Sequence, residues 1–254
     1  MSGTRALELD HLSMQIGGVE INRDVCVSLH PGERRALVGP NGAGKTTLMN
    51  MAAGALRPTS GRVRLGGEDV TRMPVHRRAR RGLARTFQIT NLFPAMTVAE
   101  NLAIAAQVGD LRRMDPLRPW SRARTLWARV DDLLERAGLT QISDLPVGEL
   151  AYGDQRRLEI VAAVARPCSV ILLDEPGAGL SSAETEKLLE LVFGLDPELA
   201  VLFIDHDVEL ALRLATDVTL LNLGEVVAEG TPDQVRALPA FSEIYLGDAT
   251  DARD

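Results

Sequence analysis

The chain has 254 residues, of which 45% are hydrophobic and 25% are charged, and its formal net charge is −7. This length suits one large domain or two small ones, with a core that needs neither disulfides nor a structural metal, and we expect one elaborated α/β domain. The negative charge argues against non-specific nucleic-acid binding as the main activity, because such binding depends on a cationic surface.

The chain lacks the signs of a membrane-spanning or secreted protein. No apolar run approaches the roughly 18 residues that a membrane span requires. The first residues, MSGTRALELD, have no basic segment followed by an apolar stretch. The two cysteines, Cys26 and Cys168, form no CxxC pair. We therefore expect a protein of a reducing cytoplasm that does not cross a bilayer by itself.

The first third of the chain has the pattern of strands joined by turns. The strands are predicted in ALELDHLSMQI, INRDVCVSLHPGE, RRALVG and GRVRLGG, the last of which follows a predicted helix. The sequences HPGE and PTSG supply turn residues between them. A β-rich N-terminal portion is therefore expected.

A phosphate-binding pattern lies within this portion. GPNGAGKTT fits G-x-x-x-x-G-K-[ST] and stands between an apolar strand and the helical pattern TTLMNMAAGAL. Glycines let backbone N–H groups approach a polyphosphate, and a helix N-terminus adds its positive end. Lys45 is one of two lysines in the chain, and its compact ammonium suits a tight loop better than a planar guanidinium. The predicted cradle comprises Gly39, Pro40, Asn41, Gly42, Ala43, Gly44, Lys45, Thr46 and Thr47. A glycine-rich turn that binds nothing is the alternative, and the complete motif in this context disfavours it.

Arginine is concentrated in two later segments, residues 72–85 and 112–129. The simpler interpretation is a solvated helix face. The alternative is a surface near acidic lipid head groups or an acidic partner.

Helical patterns occupy residues 97–107 and 121–137, the second bounded by Gly138.

Two nearly all-apolar strands follow, SVILLD and AVLFID, each succeeded by a predicted helix. Such alternation indicates a parallel sheet that is covered on both faces. Asp174 and Glu175 end the first strand, at the edge where ligands bind in open α/β sheets. Asp174 can hold Mg²⁺ and Glu175 can act as general base, with helix capping as the alternative. His206 follows the second strand, where it could reach a γ-phosphate, although a lone histidine there is more often a surface or capping residue.

In chain order, these segments resemble the ATP-binding subunits of ABC transporters, from about Ala6 to Gly247. GPNGAGKTT resembles the Walker A motif, TFQ with Gln88 the Q-loop, LAYGDQRRLEI the signature, ILLDEP the Walker B motif, and IDHD with His206 the switch histidine. RTFQITNLFPAMTVAENL, LAYGDQRRLEI and IYLG are most similar to the branched-chain amino acid importers.

The resemblance implies an α/β fold, with a P-loop NTPase (RecA-like) core, an antiparallel β-subdomain and an α-helical subdomain. The implied ATP-binding domain covers residues 4–247, with the helical subdomain at about 89–165 and a flexible tail at 248–254. The implied activity is ATP hydrolysis with Mg²⁺. Glu175, His206 and Gln88 are then catalytic, and Thr46, Gln88 and Asp174 hold the metal.

The resemblance also implies partners. A second ABC ATPase, in a homodimer or heterodimer, would clamp ATP against the signature residues Leu150, Ala151, Tyr152, Gly153 and Asp154. Two transmembrane permease subunits would dock near residues 88–110, and an extracytoplasmic solute-binding protein would act indirectly. The expected location is the cytoplasmic face of the cell membrane, as a peripheral subunit, and no nucleic acid is expected to bind.

Three positions depart from the family pattern. Ala151 replaces the usual signature serine and, together with Asp154, favours a heterodimer with unequal sites. Ile16 stands where many members stack an aromatic ring on adenine, so it offers apolar contact only. Ser181 replaces the usual aspartate of the D-loop.

Three alternative functions stay open. The ATPase of a lipid or lipopolysaccharide exporter is the nearest, because the solute is chosen by other subunits. A soluble ABC ATPase acting on nucleic acid or ribosomes is disfavoured by the single phosphate loop and by the short distance from Lys45 to Gly153. A module that binds ATP without hydrolysing it is disfavoured by Glu175 and His206.

Overall fold

Two β-sheets and the helices around them make up the residues that this computed structural model describes, 5–86, 92–107 and 124–246. The chain divides into two units. The core unit comprises Met1–Arg85, Ser169–Ala178 and Asp196–Asp254. The helical unit comprises Thr86–Cys168 and Gly179–Leu195.

The described elements follow one another in a mixed order of strands and helices. They are β1 Leu7–Ile16, β2 Val19–Leu29, β3 Arg34–Val38, α1 Lys45–Ala53, β4 Ser60–Leu65, β5 Glu68–Asp69, α2 Val75–Arg80, β6 Leu83–Arg85, α3 Val98–Gln107, α4 Arg124–Ala137, α5 Tyr152–Val164, β7 Val170–Asp174, α6 Ser182–Phe193, β8 Ala200–Ile204, α7 Val208–Leu214, β9 Asp217–Asn222, β10 Glu225–Gly230, α8 Pro232–Arg236 and α9 Pro239–Leu246.

The first sheet of the core unit is antiparallel, with the strand order β2-β1-β4-β5. Its strands largely alternate between buried and exposed residues, as expected of a sheet with one face on the core. Leu9, Val25 and Val63 are on the buried face. The buried face joins α1 and the second sheet in one hydrophobic cluster, to which Met49 and Leu202 also belong.

The second sheet has the order β10-β9-β3-β8-β7-β6 and is parallel except for its β9–β10 pair. All residues of β7 and β8 are buried, which explains why both strands read as continuous apolar runs. The carboxyl ends of β3, β7 and β8 therefore come to one edge, where the loops with the predicted site residues begin. The predicted fold class, an α/β P-loop core with an antiparallel β-subdomain and helices, is confirmed.

The helices described in the helical unit are α3, α4, α5 and α6. The predicted helix at 97–107 is found as α3, and the predicted helix at 121–137 is described from Arg124 onwards as α4. Val98, Leu102, Val130 and Leu134 are buried on α3 and α4. Burial of these faces gives the unit an apolar core of its own.

One arginine of the first arginine-rich segment contradicts the solvated-face interpretation. Arg78 of α2 is 0% exposed, and its guanidinium donates to the carbonyl oxygens of Met51, Ala52, Thr71 and Met73 at 2.7–3.0 Å. Burial lowers the pKa of Arg78 to about 10. Met51 and Ala52 belong to the last turn of α1, where the Met51 carbonyl also accepts from the Gly54 N–H at 3.2 Å, so Arg78 adds to the capping of that end.

Candidate functional site

The phosphate-loop pattern forms the turn between β3 and α1 in the core unit. Gly44 is the N-cap of α1 with φ 94°, and no side chain caps the first turn of the helix. Gly39 has φ 150°, and a Cβ there would lie 2.1 Å from the carbonyl oxygen of Leu221. Glycine at 39 is therefore required by the packing of the protein itself, in addition to the predicted approach of a phosphate.

Lys45 is half-buried at the start of α1. Its Nζ donates to the carbonyl oxygens of Gly39 and Pro40 at 2.6 and 2.8 Å, so the lysine folds back over the loop that precedes it. Burial lowers the pKa of Lys45, while the carboxylate of Glu175 acts in the opposite direction. The loop thus holds a partly buried cation at the start of α1.

A cleft of about 280 Å³ brings several predicted residues together in the core unit. Its lining comprises Ile21, Asn41, Gly42, Ala43, Gly44, Lys45, Thr46, Thr47, Glu175, Ile204, Asp205 and His206. The phosphate loop, the predicted general base and the predicted switch histidine therefore line one cleft. Thr46 is exposed there, and Ile16, 52% exposed at the end of β1, is not among the lining residues.

Glu175 and His206 face each other across this cleft. Oε2 of Glu175 lies 3.7 Å from Nδ1 of His206, and their side chains are 38% and 62% exposed. Glu175 has φ 47°, a left-handed conformation that is uncommon for a residue with a side chain. Its backbone N–H donates to the carbonyl oxygen of Ile204 at 2.8 Å, which fixes the turn after β7. Backbone strain of this kind is typical of functional sites.

Asp174 is buried at the end of β7 and is not among the residues that line the cleft. Its Oδ2 accepts a hydrogen bond from Nη2 of Arg85 at 3.2 Å, and Nη1 of Arg85 donates to Oδ1 of Asn50 at 2.7 Å. Arg85 therefore connects the carboxylate to the helix that follows the phosphate loop. Gln88, the third predicted metal ligand, lies outside the described residues.

The predicted signature residues lie at the start of α5 in the helical unit. Leu150 is buried, Ala151 is the N-cap without a capping side chain, and Tyr152 is exposed. The Gly153 N–H donates to Oε1 of Glu184 at 3.2 Å, and a Cβ on Gly153 would lie 2.4 Å from that oxygen. The close approach predicted at Gly153 is thus made by a carboxylate of the chain itself. Asp154 pairs with Arg157 one turn along the helix.

Glu184 belongs to a capping box at the start of α6. The side chain of Ser181 accepts from the Glu184 N–H, and Oε2 of Glu184 accepts from the Ser181 N–H at 2.8 Å. These hydrogen bonds lower the pKa of Glu184. Ser181, which departs from the family pattern, is therefore a helix N-cap in this chain.

Three contacts at the cleft were not predicted from the sequence. The amide of buried Asn22 donates to the Gly44 carbonyl at 3.3 Å, and Arg85 holds Asp174 as described above. Burial raises the pKa of the Tyr245 phenol to about 12, while the backbone N–H of Gly39 acts in the opposite direction. Tyr245 lies in the IYLG segment, so the sequence offered a motif that contains it. No motif pointed to the contacts of Asn22 and Arg85, because their partners are distant in the sequence.

Comparison with known proteins shows which family the chain belongs to. The family model described as ABC transporter matches residues 22–178. The chain belongs to the ABC transporter family. It is an ABC ATPase, the component that couples ATP to transport. No helix among its described residues combines the length and the apolar character that a membrane crossing requires.

Relatives of this ABC ATPase match it over nearly their whole length. The high-affinity branched-chain amino acid transport ATP-binding protein BraF of Pseudomonas aeruginosa is 37% identical over 96% of this chain and 98% of that protein. The corresponding protein LivG of Escherichia coli gives the same three values. The lipopolysaccharide export ATP-binding protein LptB of Haemophilus influenzae is 32% identical over 95% of this chain and 97% of that protein.

A solved structure supports the assignment. The ADP conformation of MJ1267, an ATP-binding cassette of an ABC transporter, superposes on this ABC ATPase with a TM-score of 0.81 at 26% identity. The match covers 96% of this chain and 99% of that one.

Proposed function

We propose that this chain is the ATP-hydrolysing subunit of an importer for branched-chain or other amino acids. The observation that carries the ATPase part is the cleft that Lys45, Glu175 and His206 line together. The importer part rests on relatives: BraF and LivG, at 37% identity, are named for branched-chain amino acid transport. LptB, named for lipopolysaccharide export, is 32% identical, and export of a lipid stays the second candidate.

Binding of the triphosphate is assigned to the loop from Gly39 to Thr47. Its backbone N–H groups and the uncapped first turn of α1 suit an anion, because the helix dipole adds to the unsatisfied N–H groups. Lys45 would exchange its two carbonyl acceptors for β- and γ-phosphate oxygens. Apolar contact of Ile16 with adenine stays a prediction.

Mg²⁺ suits the predicted ligands, because they are a hydroxyl, a carboxylate and an amide oxygen, all hard donors. Thr46 and Asp174 would hold the ion, with Gln88 as the third ligand. Arg85 would orient the Asp174 carboxylate through its contact at Oδ2. When bound, the ion would neutralise charge on the β- and γ-phosphates.

Hydrolysis is assigned to Glu175 as general base. Its carboxylate is partly exposed in the cleft and can take a proton from the attacking water. His206, 3.7 Å away, would orient the carboxylate and contact the γ-phosphate. Gln88 would report the presence of Mg²⁺ and γ-phosphate to the permease subunits that dock near residues 88–110.

A second ABC ATPase would complete the site. The start of α5, from Leu150 to Asp154, would face the γ-phosphate held by the partner. Ala151 offers no hydroxyl there, so the site it completes would be the weaker of two, which favours a heterodimer. Two permease subunits and, indirectly, an extracytoplasmic solute-binding protein would place the assembly at the cytoplasmic face of the membrane.

Transport by the reconstituted complex tests this proposal. The chain is purified with the membrane subunits that accompany it and placed in proteoliposomes that contain ATP and Mg²⁺. We expect leucine uptake that requires a solute-binding protein and that is lost when the complex carries Glu175→Gln. ATPase activity that responds to lipopolysaccharide, and not to a loaded binding protein, would replace the importer with the exporter.

A further inference from the structure

Two neighbouring β-bulges distort the pairing of β1 and β2 in the core unit. Leu9 pairs with Val27 and Leu12 with Val25, so two residues of β1 lie opposite one residue of β2. Such an insertion changes the direction of side chains and is frequent near functional sites. Because Leu9 and Leu12 both remain in the core, Asp10 and His11 lie together opposite Cys26, which is exposed.

The second bulge lies on the other strand and adds a fourth side chain. Leu12 pairs with Val25 and Met14 with Asn22, so β2 carries the extra residue here, beside Asp24. His11 and Asp24 have φ 52° and 50°, left-handed values that are uncommon for residues with side chains. The bulges bring the His11 Nδ1 and Asp24 Oδ1 atoms to 2.8 Å from each other.

The donor atoms of this group converge on the surface of the sheet. Ligand atoms of Asp10, His11 and Cys26 all lie within 4.8 Å of one another. Nε2 of His11 lies 3.9 Å from Oδ1 of Asp10, while Oδ2 of Asp10 is engaged by Arg64 at 3.2 Å. Sγ of Cys26 accepts a hydrogen bond from the His11 N–H at 3.3 Å, which places the sulfur beside the histidine.

We propose that Asp10, His11 and Cys26 form a Zn²⁺ site on the antiparallel sheet. Thiolate, imidazole and carboxylate are the three zinc ligands found in proteins, at bond lengths of about 2.0–2.3 Å. Ligand atoms of such a site are about 3.3–3.8 Å apart. The exposed side chains of His11 and Cys26 need only small rotations to reach that spacing. Three protein ligands leave a fourth position for water.

Asp24 completes the arrangement as a positioning residue. A zinc-binding imidazole usually donates its other N–H to a carboxylate, which fixes the tautomer and strengthens the ligand. The contact between His11 Nδ1 and Asp24 Oδ1 has this form and leaves Nε2 directed towards Asp10 and available to the metal. The site is separate from the phosphate-loop cleft, whose lining contains none of these residues.

Titration of the metal-free full-length chain with Zn²⁺, and with Co²⁺ as a spectroscopic probe, tests the proposal. We expect one Zn²⁺ per chain in this site, and a near-ultraviolet thiolate-to-Co²⁺ charge-transfer band with visible bands of tetrahedral Co²⁺. The Co²⁺ spectrum needs no variant, so it remains informative if a substitution prevents folding. A wild-type chain that shows no thiolate band overturns the proposal.

Variants that preserve the backbone make the test specific. Cys26→Ser and His11→Asn remove one ligand each, and asparagine tolerates the left-handed conformation at 11. We expect at least a tenfold loss of Zn²⁺ affinity in both, and a loss of about tenfold or more in Asp24→Asn. Cys168→Ser and His76→Asn, matched in residue type, should keep full affinity. Equal affinity in Cys26→Ser and the wild type would mean that Zn²⁺ binds elsewhere, for example beside Glu175 and His206.

Discussion

Lys45 makes two hydrogen bonds to loop carbonyls, and under the proposed function it exchanges them for phosphate oxygens. A charge-assisted hydrogen bond is worth about 1.5–3 kcal/mol. We therefore expect Lys45→Ala to weaken ATP binding by about 10–100-fold, measured by titration with a fluorescent ATP analogue. Lys187, the other lysine of the chain, is exposed on α6, and Lys187→Ala should leave the affinity unchanged. Unchanged affinity in Lys45→Ala would contradict the phosphate cradle.

Glu175 is the residue on which hydrolysis depends in the proposed mechanism. Glu175→Gln keeps the size and polarity of the side chain but removes the proton acceptor. We expect phosphate release to fall by at least about 100-fold, because general-base catalysis contributes about 10²–10⁴-fold, while equilibrium ATP binding persists. Glu209→Gln, at an exposed glutamate of α7, is the control. Normal turnover in Glu175→Gln would remove Glu175 from this role.

At the residue scale, the sequence predicted the ionisable side chains that line the cleft. It did not predict Arg85, which contacts Asp174 and Asn50. Lys45, Glu175 and His206 could be predicted because each follows an apolar strand within a recognisable motif. Arg85 could not be singled out in an arginine-rich segment, since its partners Asn50 and Asp174 are 35 and 89 residues away. Gln88 and the cofactor role of Ile16 stay predictions.

Helix α1 owes part of its stability to α2, an element that follows it in the chain. Arg78→Met would remove the buried donor of the Ala52 carbonyl oxygen and one of the two donors of the Met51 carbonyl oxygen. An unsatisfied buried group costs about 1–3 kcal/mol, so we expect the free energy of unfolding to fall by about 2–4 kcal/mol. Urea denaturation measures the change.

The neighbouring residue supplies the control for this prediction. Arg77 is exposed on the same helix, and Arg77→Met should change the unfolding free energy by no more than about 0.5 kcal/mol. Equal effects of the two substitutions would mean that Arg78 stabilises α1 only as a general positive charge.

At the element scale, periodicity predicted the elements whose burial is uniform or strictly patterned. The buried strands β7 and β8 and the helix α3 were recognised in this way. In the arginine-rich segment the sequence gives no sign of which arginine turns inward, because the carbonyl groups that attract Arg78 belong to α1. The hairpin of β9 and β10 and the helices α8 and α9 were not predicted, although β9 borders the strand that leads into the phosphate loop.

At the scale of the whole molecule, the proposed function predicts that two ABC ATPase subunits dimerise around ATP. Ala151 begins α5 without a hydroxyl, so we expect the isolated Glu175→Gln chain to dimerise weakly with ATP. Restoring the hydroxyl with Ala151→Ser in that background should tighten the dimer by about 10²–10⁴-fold, the equivalent of two charge-assisted hydrogen bonds, one at each nucleotide. Sedimentation velocity with ATP measures the dissociation constant.

A serine placed elsewhere distinguishes this effect from a general one. Ala183 is exposed near the start of α6, and Ala183→Ser should not alter the dimer. A dimer that Ala151→Ser leaves unchanged would indicate that the start of α5 does not contact the partner's nucleotide.

The position of β3 in its sheet has a consequence for how the cleft can be observed. Hydrogen bonds tie β3 to β8 on one edge and to β9 on the other, so its backbone amides are protected on both sides. Deuterium should therefore enter β3 only when the core unit opens as a whole, and enter the edge strand β10 far sooner. A ligand seated on the loop after β3 would slow that global opening, and its occupancy would be readable from exchange rates far from the cleft.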